Sequence, residues 1–451
     1  MKASPLDWPR WSRGTLSERA QRMGTMASGG VRFVRGLALS AWLAGCAGGP
    51  TAAAGRMLPE SGAELLRAAP AAYSPAAAEP EADALGAAFE GAIRARGPVD
   101  LQREATLDCV AAAAAEVYIE AFKAPVRSLR RWIAWRCGWA GVDVRVRVLA
   151  SRGRVRDERL EGRLPGAAPG LVRDAGPHAY GIARRERGQW TMVAVAVSRR
   201  YLEMSPVAKV YPPGATLSLS IRPVRAFTEP ALYVDMGGGR TAVQGPQPGP
   251  AGTISLQHTL PSAPGRYFVE LNAIEPSDQA VDPLHPWHKS VLLFPVYVGV
   301  PEPSAPDGFI TDPAPNPDRP AMWADRLVAA YNAERARLGL PPLALDPGAT
   351  ALAQKRSEEA ARSPRELPPD PAVVDYVHSL GPGRAEFWQS SSESEFLSEY
   401  IAERLLSPVI RHRFLAPGAS LVGFGVTRRP DVEGDKSPSY SVQECVIARD
   451  R

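Results

Sequence analysis

A helix end, a tight turn and a glycine-spaced strand follow one another within residues 407–429, and this order limits the local fold. A Pro-Gly pair at residues 417–418 makes the turn, and Gly423 and Gly425 occupy alternate positions of the strand. His412, one of six histidines in the chain, lies just before that strand. Such an arrangement can present an imidazole at the rim of a sheet. The alternative is an ordinary histidine at a helix C-terminus, stabilised by the helix dipole.

A chain of 451 residues is too long to fold around one ordinary hydrophobic core, so we expect two or three domains. The 45 prolines and 40 glycines indicate linkers and turn-rich segments rather than global disorder, because apolar residues still make up 45% of the chain. The net charge is only +5, and the arginines are scattered. One stretch interleaves arginines with tryptophans, a combination that could stack on nucleic acid. Its residues are Arg127, Arg130, Arg131 and Arg136 with Trp132, Trp135 and Trp139. At helical spacing it equally makes a buried tryptophan face, so we predict no nucleic-acid partner.

Residues 1–45 are predicted to be a signal segment, because a short apolar run follows Arg32 and Arg35 and ends in small residues. The sequence Leu-Ala-Gly before Cys46 resembles the lipobox of bacterial lipoproteins, in which the cysteine is acylated. We therefore expect a cell-envelope lipoprotein, outer-membrane-anchored or extracellular, held to a membrane through Cys46 by residues 46–83. The alternative is a plain signal peptide cleaved near Ala44.

An extracytoplasmic location permits disulfides, and no cysteine pair has CxxC spacing. Cys109 and Cys137 lie on two predicted helices of one domain, so we predict that they form a disulfide. Cys445 is then left over, and we expect it to be buried in the last strand.

The chain is predicted to be α+β. Residues 84–203 show helical periodicity and then a β-hairpin with its turn at Arg187-Gly188. Residues 204–300 show short alternating runs between Pro/Gly turns, which predict an antiparallel, immunoglobulin-like β-sandwich serving as spacer or binding module. Residues 301–318 are a Pro/Asp-rich linker.

Residues 319–451 contain an amphipathic helix in MWADRLVAAYNAERARLGLPPL, which Gly339 ends, then a second helix, the Ser407-Pro408 and His412-Arg413 pairs, and the strand GFGV. In this order they resemble the CAP superfamily, which takes in cysteine-rich secretory proteins, antigen 5 and pathogenesis-related proteins. The resemblance implies an α–β–α sandwich over about 130 residues.

The resemblance also implies a cleft with two histidines and two acidic residues, sometimes around a divalent metal. His412 matches the histidine of the family's SP-G-H-R segment, although three residues replace its glycine. Glu386 stands where the family's GEN glutamate is expected, and His378 is the candidate for the other histidine. A hydrolytic or metal site needs all of its side chains to converge, and this set of matching residues is incomplete. We therefore predict no resident metal or cofactor.

The two hairpins GIARRERGQWTMVAVAVSRR and GFGVTRR to CVIARD share a pattern of small-residue strand, arginine pair, loop and apolar strand. Residues 84–203 are therefore a candidate for a diverged CAP-like repeat. The functional prediction is a non-catalytic binding or structural role, with an unknown lipid, polymer or protein ligand. The alternative is a CAP-type hydrolase or metal-binding domain that uses His412 and Glu386, and a third hypothesis is a purely structural lipoprotein.

Overall fold

The computed structural model describes residues 70–74, 83–167, 170–172, 176–249, 252–276, 288–306, 313–317, 319, 321–363, 370–380, 385–430 and 439–449. For residues 157, 321, 371, 374, 378, 385–393 and 449 only the backbone is described. The predicted signal segment and Cys46 lie outside these ranges. A two-residue strand, β1 (Ala72–Tyr73), is the first element described.

The N-terminal part of the structure is a four-stranded sheet with helices packed on it. Its elements are α1 (Ala84–Arg94), β2 (Leu101–Arg103), α2 (Ala105–Ala121), α3 (Arg127–Arg136), β3 (Val144–Arg152), α4 (Asp157–Glu161), α5 (Leu164–Ala167), β4 (His178–Arg187) and β5 (Trp190–Arg199). The predicted hairpin is confirmed, because β4 and β5 pair antiparallel from His178 with Arg199 to Arg187 with Trp190.

Helix α2 lies against β4 because small residues line the contact. Its five consecutive alanines, residues 111–115, are all buried. Gly181 of β4 has no side chain to hold the helix away, and a Cβ there would lie 2.0 Å from the carbonyl carbon of Leu107. A disulfide between Cys109 and Cys137, with Cα atoms 5.8 Å apart, ties α2 to the residue after α3.

The two-sheet module, residues 202–298, follows. Its strands are β6 (Leu202–Met204), β7 (Val207–Ala208), β8 (Val210–Tyr211), β9 (Thr216–Pro223), β10 (Thr228–Asp235), β11 (Thr241–Gln244), β12 (Gln247–Pro248), β13 (Ile254–Thr259), β14 (Gly265–Ile274) and β15 (His288–Val298). One sheet has the order β11-β10-β14-β15-β8 and the other β12-β13-β9-β6. Alternating apolar residues of both sheets, such as Leu219 and Leu271, belong to one hydrophobic core.

The C-terminal part again combines one four-stranded sheet with helices. Its elements are α6 (Ala321–Arg337), β16 (Ala344–Leu345), α7 (Pro347–Arg362), α8 (Pro371–Ser379), β17 (Ala385–Ser394), α9 (Leu397–Leu406), α10 (Pro408–Phe414), β18 (Ala419–Arg428) and β19 (Tyr440–Arg449). Cys445 of β19 is free and buried.

The N-terminal and C-terminal sheets have the same topology. Their strand orders are β2-β4-β5-β3 and β16-β18-β19-β17. In each sheet the short first strand runs parallel to its neighbour, and the other two pairings are antiparallel. The described helices and strands also follow one another in the same order in both parts.

A backbone hydrogen bond occurs at the same place in both parts. The N–H of Glu104, which precedes α2, donates to the carbonyl of Tyr180 at 2.8 Å. The N–H of Asp346, which precedes α7, donates to the carbonyl of Val422 at 2.9 Å. The long helix of each part therefore starts from the same register against the hairpin.

Glycines of the two hairpins make the same close approach. A Cβ at Gly423 would lie 2.4 Å from the carbonyl carbon of Ala349, the third residue of α7. Leu107, which Gly181 faces, is the third residue of α2. The two long helices therefore lie against their sheets at matching positions.

Strand β1 attaches the predicted tether to the body of the protein. Tyr73 is fully buried, its hydroxyl donates to the carbonyl of Pro295 at 2.8 Å, and its ring centroid lies 4.7 Å from that of Phe294. Ala72 and Tyr73 pair with strand β7. Within the described residues, no helix is both long and apolar enough to cross a membrane.

Candidate functional site

Helix α10, which carries His412, starts at a strong capping position. The Ser407 hydroxyl accepts a hydrogen bond from the N–H of Ile410 at 3.2 Å, and Pro408 occupies the first helical position. Serine satisfies an otherwise unpaired donor of the first turn, and proline fixes the backbone angle that a helix requires. The sequence Ser-Pro therefore determines where this helix begins.

The start of α10 is docked on a buried carboxylate of the two-sheet module. Glu270 of β14 accepts a hydrogen bond from the Ser407 hydroxyl at 2.5 Å and another from the N–H of Val409 at 3.1 Å. Its side chain is buried, with 4% of the residue exposed. A carboxylate at a helix N-terminus is favoured by the unpaired N–H groups and by the helix dipole. These bonds satisfy a charge that would otherwise be costly to bury.

A buried ion pair fixes the middle of α10. The Arg411 guanidinium lies 2.8 Å from the carboxylate of Asp235 in β10 and 3.3 Å from that of Glu334 in α6. Asp235 also accepts the backbone N–H of Gly237 at 2.9 Å. Removing one partner of such a pair leaves an uncompensated buried charge. Arg411 therefore couples the C-terminal part to the two-sheet module.

The ring of His412 faces the two-sheet module. Its centroid lies 6.0 Å from that of Tyr233 in β10. Ile410 and Phe414, two residues to either side, pack in the core of the C-terminal part. A step of two residues turns about 200° around a helix, so His412 lies on the opposite side from that core. Partial desolvation of the ring, and then the adjacent Arg413 charge, lower the pKa of His412 below its ordinary value.

The other two predicted site residues are placed by their backbones alone. His378 lies near the end of α8, and Glu386 lies in β17 opposite Ala448 of β19. Their side chains are outside the described part of the structure, so the grouping of His412, Glu386 and His378 stays a prediction. Among the described residues, no cluster of three or more His, Cys, Asp or Glu side chains could hold a metal ion.

A second polar junction joins α3 of the N-terminal part to α9 of the C-terminal part. Glu399, 1% exposed, accepts a hydrogen bond from the N–H of Ser128 at 2.9 Å. Glu403 lies 3.0 Å from Arg127 and 3.4 Å from Arg131. These arginines belong to the tryptophan-arginine stretch of the sequence, so the structure engages them in contacts within the chain.

The tryptophans of that stretch are part of the core. Trp132 and Trp135 are 1% and 2% exposed. The indole N–H of Trp135 donates to the carbonyl of Leu293 in β15 at 2.6 Å. The helical spacing thus makes a buried tryptophan face, which packs partly on the two-sheet module.

A buried carboxylate also lies inside the C-terminal part. Glu444 of β19 accepts hydrogen bonds from the hydroxyls of Tyr331, at 2.6 Å, and Tyr400, at 3.1 Å. The Arg404 guanidinium lies 3.2 Å from the same carboxylate and stacks over the Tyr400 ring. The charge is compensated by three partners, as a structural network requires.

These acidic residues were not predicted from the sequence to take part in a site. Glu270 stands in the run YFVELNAI and Glu444 in SVQECVIA, where a charge interrupts an apolar strand. A glutamate at such a position is a signal for a buried partner. The identity of that partner depends on tertiary packing, which pairs Glu270 with Ser407 at a sequence distance of 137 residues.

Comparison with protein families gives a match over residues 328–444 to the model of the cysteine-rich secretory protein family, CAP. No curated protein matches the chain significantly. The solved structure of MpPR-1i is 20% identical and covers 30% of this chain and 90% of its own, with a TM-score of 0.20. A cysteine-rich secretory protein from Staphylococcus aureus subsp. aureus Mu50 is 12% identical and covers 60% and 85%, with a TM-score of 0.23. CopC from Methylosinus trichosporium OB3b is 12% identical and covers 22% and 92%, with a TM-score of 0.16. The chain therefore carries, at residues 328–444, a CAP domain of the cysteine-rich secretory protein family.

Proposed function

We propose that this protein is a cell-envelope lipoprotein whose CAP domain has a non-catalytic binding or structural role. The observation that carries the proposal is the docking of helix α10. The hydroxyl of Ser407 and the N–H of Val409 are bound by Glu270, and Arg411 is bound by Asp235 and Glu334. The segment that a CAP hydrolase would use for chemistry is thus engaged in holding two parts of the protein together.

The position of His412 supports the same proposal. A general base or metal ligand must converge with other polar groups on one reacting centre. Among the described side chains, the ring contact of His412 is with Tyr233 of the two-sheet module, on the side of the helix opposite the core, which supports a packing role for this side chain.

We further propose that the N-terminal part is a diverged CAP-like repeat. The shared element order, strand order, strand directions and helix-starting hydrogen bond support a common origin of the two parts. In this account two CAP-type α–β–α layers flank a central immunoglobulin-like β-sandwich made by the two-sheet module. The polar junctions at Glu270 and Glu399 hold the three parts together.

The proposal is tested by assaying the purified full chain against peptides and envelope glycans, with His412→Ala as the matched variant. We expect no cleavage, no stoichiometric zinc or magnesium after dialysis, and equal retention of both proteins on isolated envelope lipid or polymer. Cleavage or stoichiometric metal that is lost in His412→Ala would instead establish the hydrolase or metal-binding alternative. An active hydrolase added to the same assay controls for substrate quality.

The anchor is tested separately in cells. Labelled palmitate should be incorporated into the wild type and not into Cys46→Ala. Incorporation by neither protein would support a plain signal peptide cleaved near Ala44. This outcome would remove the anchor and leave the non-catalytic role of the CAP domain as a separate question.

A further inference from the structure

Phe122, at the end of helix α2, is held in an unfavourable position. Its backbone is left-handed, with φ of 50°, and 52% of the residue is exposed to solvent. Glycine is the usual residue at this position after a helix, because a side chain in the left-handed region costs roughly 1–2 kcal/mol. Exposure of a large aromatic ring adds to that cost. Folding alone therefore gives little reason for phenylalanine here.

Two other aromatic residues gather around Phe122. Its ring centroid lies 5.3 Å from that of Trp190 and 6.5 Å from that of Tyr118, both in edge-on geometry. Trp190 and Tyr118 are half-buried. The aromatic patch, defined as Tyr118, Phe122 and Trp190, therefore presents one exposed ring supported from beneath by two others.

Exposed arginines surround the aromatic patch. Trp190 of β5 is the cross-strand partner of Arg187 in β4 and of Arg152 in β3, and both arginines are exposed. Lys123 follows Phe122 in the chain, and Arg154 has 90% of its side chain in solvent.

Two exposed carboxylates accompany these bases. Glu120 pairs with Arg187, and Glu186 lies 3.7 Å from Arg154. Among these described residues, four exposed cations, Lys123, Arg152, Arg154 and Arg187, accompany two exposed carboxylates, so this set around the patch carries a net positive charge.

We propose that this face is an interaction surface for an anionic phospholipid membrane, with Phe122 inserted among the headgroups. Aromatic rings favour the membrane–water interface, and arginines bind lipid phosphates while their stems cover apolar surface. Clustered basic residues near a membrane each add about 1 kcal/mol of attraction to anionic lipid. This combination complements a phospholipid surface better than it complements a neutral polymer.

The inference concerns the folded body and does not require acylation of Cys46. The test therefore uses the full chain with Cys46→Ser in every variant, so that no acyl group contributes. The apolar N-terminal segment is also present in every variant, so differences between variants report the patch. Binding is measured by flotation with vesicles of phosphatidylcholine alone or mixed with phosphatidylglycerol.

We expect binding to the mixed vesicles to exceed binding to neutral vesicles and to weaken in high salt. Phe122→Gly should weaken partition about tenfold without loss of folding, because glycine suits the left-handed backbone. Arg152→Gln should weaken it about fivefold. Val243→Thr, at a valine with 49% exposure in β11 of the two-sheet module, is the matched control and should bind like the parent.

Equal partition of Phe122→Gly and the parent would overturn the proposal. So would equal binding to neutral and anionic vesicles, or binding to isolated anionic envelope polymer with none to vesicles. Failure of this test would leave the CAP domain's proposed role and the Cys46 anchor standing, because neither depends on the aromatic patch.

Discussion

The carboxylate of Glu399 accepts a 2.9 Å hydrogen bond from the backbone N–H of Ser128, a residue 271 positions earlier in the chain. This bond joins α9 of the CAP domain directly to the first turn of α3 in the N-terminal part. Both residues are buried, so water cannot replace the bond. The two similar parts are therefore in polar contact with one another, besides their separate contacts with the two-sheet module.

The first prediction concerns pH. Desolvation raises the pKa of Glu399 to about 7 from an ordinary value of 4.5, against the opposing effect of the Ser128 hydrogen bond. The folded state thus holds the proton more tightly than the unfolded state. The favourable contribution is complete below pH 4.5 and is lost as the pH rises to about 7. The Glu399 contribution to stability should therefore fall across this window, whereas the pKa of buried His288, lowered to about 4 from 6.5, contributes a rise over much of the same window.

Glu399→Gln should remove the Glu399 contribution to the pH dependence of stability, because an amide oxygen can still accept the Ser128 N–H and carries no charge. Above pH 7 the variant should be more stable than the wild type by on the order of 3 kcal/mol. Urea unfolding at a series of pH values measures the difference. Glu358→Gln, at a half-exposed glutamate of α7, is the control and should keep the wild-type slope. A slope unchanged in Glu399→Gln would refute the assignment.

The second prediction tests the matching glycines. A Cβ at Gly181 would lie 2.0 Å from Leu107 backbone, and one at Gly423 would lie 2.4 Å from Ala349 backbone. Alanine at either position should therefore destabilise the protein by about 3 kcal/mol or more. Gly91→Ala, in α1 with nothing within 4 Å, should instead stabilise by up to about 1 kcal/mol.

Thermal and urea unfolding of the three glycine variants measure these changes. Similar losses at Gly181 and Gly423 are expected if both long helices rest on their sheets in the same way. A loss at Gly423 alone would contradict the structural equivalence of the two parts.

The third prediction concerns the disulfide between Cys109 and Cys137, 28 residues apart in sequence. Replacing both cysteines by serine should lower the free energy of unfolding by about 3 kcal/mol, chiefly through the unfolded chain. A reductant should bring the wild type to the same midpoint and leave the double variant unchanged. An effect of reductant on the double variant would point to a disulfide formed by Cys46 or Cys445 and would contradict this assignment.

Elements with a strong local pattern could be predicted from the sequence. The β4–β5 hairpin and the helix, turn and glycine-spaced strand of α10 and β18 are present where periodicity and turn residues indicated. Strand β17 was not predicted, because AEFWQSSSES lacks an alternating apolar pattern and its pairing with β19 supplies the order. Helices α4 and α5 were not predicted, because they lie in a stretch rich in glycine and proline.

Only part of the candidate site could be predicted from the sequence. His412 could be noticed as a rare residue in a recognisable segment, but its direction depends on the helical phase set by Ile410 and Phe414 in the core. The partners of Glu270 and Glu399 lie far away in the sequence, and local pattern holds no information about them. Whether the segment around His412 forms a site or a docking contact therefore depends on long-range packing.

The central claim is that helix α10 of the CAP domain is a docking element held by Glu270. A double-mutant cycle with Glu270→Ala and Ser407→Ala, read by urea unfolding of the full chain, tests it most directly. Loss of the Ser407 cap to Ile410 occurs in both backgrounds and cancels in the cycle. A coupling free energy of about 1–3 kcal/mol is predicted for this buried, charge-assisted hydrogen bond. Additive single-variant effects would contradict the claim.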